Sequence, residues 1–285
     1  MRAIKKPTYP ENYSFQTCTD SVTDGSLQRR LRGITEDMGA LAKYYDGQAA
    51  LGQLHTVPPT TAQDPDLLIG EVTKAELKNL YDREMVPRLK PGRRIYDELR
   101  LSAPNSRCPT CGIGQVFTID HFLPKSKFPL FSVLPENLVP ACRDCNTGKL
   151  AAAANDAQSF HPYYDTKQLS EEQWISAELL QTDPIAVRYF VRAPQNWDDF
   201  QVRRAMNHFH EYKLAQRFGS LAAEELSTLT RTFTSPYPMK PNEVWDALDR
   251  RLAAERENRS NSWQIALLEA LRDSEWFCAL GFFRH

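Results

Sequence analysis

The sequence predicts an α+β protein that is mainly α-helical, with a small core of two strands and one helix held by cysteines. Three observations support this prediction. Apolar residues recur every three or four positions through most of the chain. One β-branched and aromatic segment lies near the middle. Two C-x-x-C pairs, Cys108 with Cys111 and Cys142 with Cys145, flank that segment.

The first third of the chain predicts helices on either side of a linker. Apolar positions at helical spacing predict a helix over residues 28–45. Three prolines and several small polar residues disfavour regular structure over residues 53–66. The helical pattern returns at residues 71–81 and again at 95–99. We therefore expect a helical pair to lead into Cys108.

The segment between the cysteine pairs predicts a strand, a loop, a second strand and a helix. Residues 115–119 alternate in the manner of a strand that ends at Asp120. A loop with several prolines follows, and residues 138–139 predict a short second strand. Asp144 then suits the cap of a helix.

The last part of the chain predicts helices throughout. Helical stretches are expected at residues 171–180, 197–229 and 243–280, with a break near 258–262. We therefore interpret residues 166–285 as an all-helical domain.

Composition and charge describe an ordinary globular protein with one basic region. The 285 residues are 41% hydrophobic and 25% charged, with a formal net charge of −1, which excludes a disordered chain. No apolar run is long enough for a membrane span or a signal peptide, so we expect a cytoplasmic protein without a membrane partner.

We expect residues 1–66 to form an N-terminal segment with its linker, and 67–165 to form the helical lead-in and core. Residues 83–149 hold 11 Lys and Arg against 6 Asp and Glu, which suits contact with a polyanion.

The four clustered cysteines predict a structural zinc site. Thiolates in paired C-x-x-C turns suit tetrahedral Zn²⁺, and a site closed by four sulfurs has no open position for catalysis. The ligands are Cys108, Cys111, Cys142 and Cys145. Cys18 and Cys278 lie far from these pairs, and we expect them to be ordinary thiols.

Polar residues inside this cysteine frame resemble those of a known family. Asp120 and His121 end the first predicted strand, Asn137 precedes the second, and Asn146 follows the last cysteine. The arrangement, over roughly residues 108–149, resembles the HNH endonucleases and their ββα-metal core, which two C-x-x-C zinc pairs often frame. Asn146 replaces the histidine of the usual motif, a variant that this family also uses.

The resemblance implies a metal-dependent endonuclease that cuts DNA and leaves 5′-phosphate and 3′-hydroxyl ends. Asp120 and Asn146 would bind the catalytic Mg²⁺ or Mn²⁺, His121 would be the general base, and Asn137 would hold the loop that orients His121. The residue types suit these roles, because imidazole titrates near neutral pH and carboxylate and amide oxygens suit hard cations. Neighbouring residues of a strand point to opposite sides, so Asp120 and His121 can share one phosphate only where the strand ends.

Four basic residues near the motif are candidates for phosphate contact, although a solvated surface also explains them. They are Lys125, Lys127, Arg143 and Lys149. The run F-H-P-Y-Y-D at residues 160–165 is interpreted as a packed turn rather than as part of the site.

The C-terminal run from Trp263 to Cys278 resembles the tail of a bacterial HNH subfamily, some members of which serve in anti-phage defence beside a partner ATPase. This resemblance implies a defence effector that a partner ATPase activates. Two alternatives stay open. One is a non-catalytic zinc module that binds nucleic acid or a protein partner. The other is a nuclease that acts on RNA.

Overall fold

The helices and small sheets of the chain are grouped into two units in the computed structural model, which describes residues 1–148 and 157–283. One unit is Ala3–Asp165, and the other comprises Met1–Arg2 and Thr166–His285. Helices predominate, and the described strands pair as two-stranded antiparallel sheets. The predicted α+β class is confirmed. Among the described helices, none has the length and apolar character that a membrane crossing requires.

The first unit begins with short helices and one small hairpin. Its elements before the cysteines are α1 (Tyr13–Asp20), α2 (Gly25–Gly33), α3 (Thr35–Ala50), β1 (Leu67–Ile69), β2 (Val72–Thr73), α4 (Lys74–Asn79), a π-helix (Leu80–Met85) and α5 (Gly92–Leu101). The single helix predicted over 28–45 is wrong. Ile34, with φ −107° and ψ 9°, separates α2 from α3 because its backbone leaves the helical region.

The helix predicted to start at residue 71 starts later. Val72 and Thr73 pair with β1 instead, and Thr73 caps α4. The Thr73 hydroxyl accepts a hydrogen bond from the Glu76 amide, and the Glu76 carboxylate accepts one from the Thr73 amide. Such a capping box defines a helix start at the next residue. Arg30 holds the Glu76 carboxylate from α2 and lowers the pKa of Glu76 to about 2.

The region around the cysteine pairs follows the predicted order of strand, loop, strand and helix. Strand β3 (Thr118–His121) pairs antiparallel with β4 (Leu138–Ala141), and α6 (Arg143–Gly148) follows. The first strand begins three residues later than predicted. Gln115 forms a bridge to Arg107 instead, because this stretch closes the turn that contains the first cysteine pair.

The β3–β4 hairpin is buried on both of its faces. Ile119 and Leu138 pack in one hydrophobic cluster with residues of α1, α2, α4 and α5. Val139 packs in a second cluster with Tyr45 of α3 and with Phe131 of the loop. Complete burial of one leucine such as Leu138 contributes about 1.5–3 kcal/mol. Flanking helices therefore fix the hairpin in place.

The second unit contains a hairpin where only helices were predicted. Strands β5 (Ile175–Leu180) and β6 (Ala186–Val191) pair in register, and the described helices after them are α7 (Asp199–Glu211), α8 (Leu214–Thr234), α9 (Pro241–Asn258), α10 (Trp263–Arg272) and α11 (Glu275–Cys278). The prediction of a helix over 171–180 and of an all-helical domain is therefore wrong. The β-branched and aromatic residues of β6 supply a strand partner for β5, and pairing outweighs the weak helical pattern. Lys213, with φ 51°, separates α7 from α8 within the predicted 197–229 helix.

We expect Gly92→Ala to destabilise the first unit. A Cβ at this position would lie 2.6 Å from the Glu84 carbonyl oxygen and 2.9 Å from the Met85 Cα. The backbone has to move, and such overpacking costs about 1–3 kcal/mol. Urea unfolding measures the change. Gly47→Ala in α3 is the control, since a Cβ at this position would meet nothing within 4 Å. This substitution should raise the free energy of unfolding by up to about 1 kcal/mol. Equal effects of the two substitutions would contradict this packing.

Candidate functional site

The four cysteines of the two C-x-x-C pairs converge on one buried point. The Sγ atoms of Cys108, Cys111, Cys142 and Cys145 all lie within 4.8 Å of one another. A regular tetrahedron with Zn–S bonds of about 2.3 Å has sulfur–sulfur edges of about 3.8 Å. The Sγ atoms of Cys111 and Cys142 are 3.8 Å apart. The predicted four-cysteine cluster is confirmed, and its geometry fits Zn²⁺.

Backbone turns position these sulfurs. The Gly112 amide donates to the Cys108 carbonyl at 2.8 Å, and Gly112 has a φ of 73°, which favours glycine. The Gly114 amide points at the Cys111 sulfur, 3.5 Å away. The second pair spans the end of β4 and the first residues of α6. A metal at this point therefore ties the turn before β3 to the start of α6.

The electrostatics of the cluster also favour a bound cation. A hydrogen bond with the Cys108 thiol lowers the pKa of Cys142 to about 7. Hydrogen bonds with neighbouring thiols raise the pKa of both Cys108 and Cys145 well above its usual value. Further negative charges beside the first one are unfavourable in this buried space. A bound divalent cation removes that penalty, so the cluster has the character of a metal site.

His121 is held in one orientation at the end of β3. The residue is 8% exposed, and Nε2 lies 2.8 Å from the Ser132 carbonyl oxygen. A carbonyl oxygen only accepts, so Nε2 carries the proton, and Nδ1 of the neutral ring carries the lone pair. The Ser132 hydroxyl donates to the Leu77 carbonyl at 2.7 Å, which anchors Ser132 to α4.

Tyr81 of the π-helix packs against His121 and lies near the carboxylates of Asp82 and Asp120. The ring centroids of Tyr81 and His121 are 4.5 Å apart in an edge-on arrangement. Burial raises the pKa of Tyr81 well above its usual value, and the negative charges of Asp82 and Asp120 raise it further. Tyr81 therefore stays a neutral phenol beside His121. Asp120 is half-buried in β3, and β3 ends at His121, which still pairs with Leu138.

Asn137 is fully buried and holds the loop between the two strands. Its Oδ1 accepts the Leu123 amide proton at 2.7 Å. Its Nδ2 donates to the carbonyls of Leu123 and Phe131, each at 3.1 Å. Ser132, which accepts the hydrogen bond from His121, follows Phe131 directly. Asn137 thus fixes the segment on which the orientation of His121 depends.

A tyrosine and a second histidine complete this buried network. The Tyr45 hydroxyl of α3 donates to Asn137 Oδ1 at 3.0 Å and lies 3.3 Å from Nε2 of His161. Nδ1 of His161 accepts the Tyr163 amide proton at 3.2 Å. The neutral His161 ring therefore carries its proton on Nε2 and donates to Tyr45. His161 is fully buried, as the interpretation of residues 160–165 as a packed turn expected.

Four further predicted residues, Asn146, Arg143, Lys125 and Lys127, lie at the surface around the core. Asn146 is exposed in α6. Arg143 is exposed, with its guanidinium 5.2 Å from the Phe117 ring centroid. Lys125 forms an ion pair with Asp82 and lies over the Tyr81 ring, and Lys127 is exposed. Lys149 lies outside the described residues.

Comparison with known proteins gives two positive findings. Residues 108–151 match the HNH endonuclease family. Protein ea31 of Escherichia phage lambda is 39% identical over 233 residues, covering 79% of this chain and 78% of the relative. The chain belongs to the Ea31 family. No solved structure matches the chain.

This member of the Ea31 family therefore carries an HNH endonuclease domain inside a larger, mainly helical chain. The domain match begins at Cys108 and includes all the residues that the sequence singled out between the strands and the helix. It does not include Tyr45, Tyr81 or His161. Sequence reasoning missed Tyr45 and Tyr81, because helical spacing explains both as ordinary apolar positions and nothing in the pattern links them to Asn137 or His121.

We expect Cys142→Ser to lose bound zinc and much of the stability of the first unit. One oxygen in place of a sulfur weakens the site, and structural zinc contributes several kcal/mol to folding. The melting temperature should fall by about 10 °C or more. Metal analysis of the purified protein and thermal unfolding measure the two effects. The control is Cys278→Ser, a buried cysteine outside the cluster, which should keep its zinc. A zinc-free parent would contradict the assignment.

Proposed function

We propose that this protein is a metal-dependent endonuclease that hydrolyses phosphodiester bonds of DNA, with His121 as the general base. One observation carries the proposal. The hydrogen bond from Nε2 of His121 to the Ser132 carbonyl fixes the tautomer in which Nδ1 accepts a proton. A general base needs such an aimed and neutral imidazole. The match of residues 108–151 to the HNH endonucleases supports the same conclusion.

The roles of the surrounding residues follow from their positions. His121 would take a proton from water at Nδ1, while Ser132 keeps the ring from rotating. Asp120 and Asn146 would hold a divalent cation, because a carboxylate and an amide oxygen suit Mg²⁺ or Mn²⁺. That cation, when bound, neutralises negative charge on the phosphate and on the leaving 3′ oxygen. Asn137 would act through the loop, by keeping the Ser132 carbonyl in place. Lys127, Arg143 and Lys149 remain candidates for phosphate contact, and Lys125 would have to exchange its pairing with Asp82.

We also propose that the nuclease is the effector of an anti-phage defence system, activated by a partner ATPase. The support is the resemblance of the run from Trp263 to Cys278 to such proteins. This run forms α10 and α11 in the second unit. The relative from phage lambda shows that the family also occurs in a phage.

His121→Ala is expected to lower DNA cleavage by at least about 100-fold, because it removes the general base. Supercoiled plasmid with Mg²⁺, and then with EDTA, measures cleavage. Zinc content and melting temperature show that the variant is folded. His210→Ala is the control, since this exposed histidine of α7 lies in the second unit. The same pair of variants, expressed with the neighbouring genes and challenged with phage, tests the defence role.

Three results would contradict this assignment. Equal cleavage by His121→Ala and the parent would exclude His121 as the base. DNA binding without cleavage, with the neighbouring gene products present, would favour the non-catalytic zinc module. Preferential cleavage of a matched RNA would change the substrate class. Equal plaque counts with and without an intact His121 would reject the defence role alone.

Tyr45→Phe should lower kcat about tenfold and leave KM unchanged. The substitution keeps the ring, which packs on Phe131, and removes the hydroxyl that bonds Asn137 and His161. The hydroxyl makes two buried hydrogen bonds, each worth about 0.5–1.5 kcal/mol, and a loss of about 1.4 kcal/mol at the transition state is a tenfold change in rate. Steady-state cleavage kinetics separate kcat from KM. Tyr164→Phe is the control, because its hydroxyl bonds Asp46 rather than Asn137. A change in KM alone would argue against a positioning role.

A further inference from the structure

A short turn between the π-helix and α5 presents a leucine almost entirely to water. Leu89 is 99% exposed and lies between Arg88 and Lys90, with Pro87 and Pro91 on either side. Single exposed apolar residues are common on protein surfaces. Exposure alone therefore carries no argument, and the neighbours of Leu89 decide its meaning.

The turn that carries Leu89 is rigid. The Lys90 amide donates to the Pro87 carbonyl at 3.1 Å and closes the turn. The Lys90 side chain donates to the Ser21 carbonyl at 2.9 Å and pairs with Glu84 at 2.7 Å. On the other side, Arg93 donates to the Val86 carbonyl at 2.7 Å. Hydrogen bonds at both ends therefore hold Leu89 in a fixed position outside the protein surface.

Two arginines, one in the π-helix and one beside Leu89 in the turn, have charges that no carboxylate of the described residues neutralises. Lys90, Arg93 and Arg94 pair with Glu84, Asp97 and Glu98. Arg83 and Arg88 are exposed, and neither forms an ion pair with any other residue in the ranges 1–148 and 157–283. The π-helix and the turn after it therefore carry one projecting apolar side chain and two guanidinium groups that no carboxylate of the described residues neutralises.

Contacts between side chains join this turn to the candidate base. The ring centroids of Tyr81 and His121 are 4.5 Å apart, and those of Tyr81 and Tyr96 are 6.4 Å apart. The Arg93 guanidinium lies 4.7 Å from the Tyr96 ring centroid and holds the start of the turn through Val86. Leu89 thus projects from a turn whose flanking residues Tyr81 and Arg93 belong to the packed group that contacts His121.

We propose that Leu89 is a wedge that inserts between base pairs from the minor groove of duplex DNA, while Arg83 and Arg88 contact the flanking phosphates. Apolar wedges beside arginines are a recurring way to bind and kink duplex DNA through this groove. A protein partner would instead require a larger apolar patch with few charges at its centre. The proposal rests on the proposed function and names its substrate as bendable duplex DNA. Cleavage should favour flexible pyrimidine–purine steps and mismatches, since these cost less to unstack.

The test uses the full-length, zinc-loaded chain with His121→Ala, so that DNA is bound without being cut. A duplex with 2-aminopurine at a TA step reports unstacking by its fluorescence. Binding of the chain that carries only His121→Ala should raise the fluorescence of 2-aminopurine. Leu89→Ala should remove the rise and weaken binding about tenfold, since the wedge contributes at one base step. Leu101→Ala is the matched control, because this leucine at the end of α5 is also exposed, at 69%.

A second measurement separates the arginines from the wedge. Arg88→Ala should weaken binding on all duplexes alike and reduce the slope of log K against log salt by about 1. In the chain with an intact His121, Leu89→Ala should cut a fully paired duplex about tenfold more slowly than the parent. It should cut a mismatched duplex nearly as fast as the parent, because the mismatch is already unstacked.

Several results would overturn the wedge. Addition of Leu89→Ala to the His121→Ala chain could leave fluorescence and affinity unchanged. Leu101→Ala could cause the same losses as Leu89→Ala, or the His121→Ala chain could fail to bind the duplex. Failure of the nuclease proposal gives a different pattern, in which cleavage is absent while the unstacking signal still depends on Leu89.

Discussion

The close approach of four cysteine sulfurs is the constraint on which the core depends. Thiolates less than 5 Å apart repel one another in a buried space, and a bound cation converts that repulsion into a crosslink. The crosslink joins the turn that precedes β3 to the start of α6. Asp120 lies on β3, directly after the first of these elements, and Asn146 lies in α6. Their separation therefore depends on a metal that neither of them binds.

The loop between the strands is ordered by buried polar groups rather than by regular structure. Asn137 supplies hydrogen bonds at three points of this loop and receives one from Tyr45 of α3. The hydrogen bonds of this network offset the desolvation cost of burying its polar groups. The result is a fixed Ser132 carbonyl, and through it a fixed imidazole. Residues distant in sequence thus orient His121 without touching the reaction.

Ion pairs reduce the basic character of the region around the site. The excess of Lys and Arg over residues 83–149 suggests a broad positive field, but Lys90, Arg93, Arg94 and Lys125 are each paired with a carboxylate. Over the described residues 83–148, the arginines that form no ion pair are Arg83 and Arg88 in the π-helix and the turn, Arg107 before the first cysteine, and Arg143 beside Phe117. Paired charges screen one another, so counts of charge along a sequence overestimate the attraction for a polyanion.

The sequence by itself determined the local chemistry of the core. The spacing of the C-x-x-C pairs predicted their convergence, and turn and strand patterns predicted the order of β3, loop, β4 and α6. Tertiary structure decided what depended on distant partners. Strand β5 forms because β6 pairs with it, which no pattern within residues 171–180 could show. Tyr45, Tyr81 and His161 gain their roles from contacts with residues 39 to 116 positions away. Local patterns encode backbone preference, whereas the packing of separate elements decides which side chains meet.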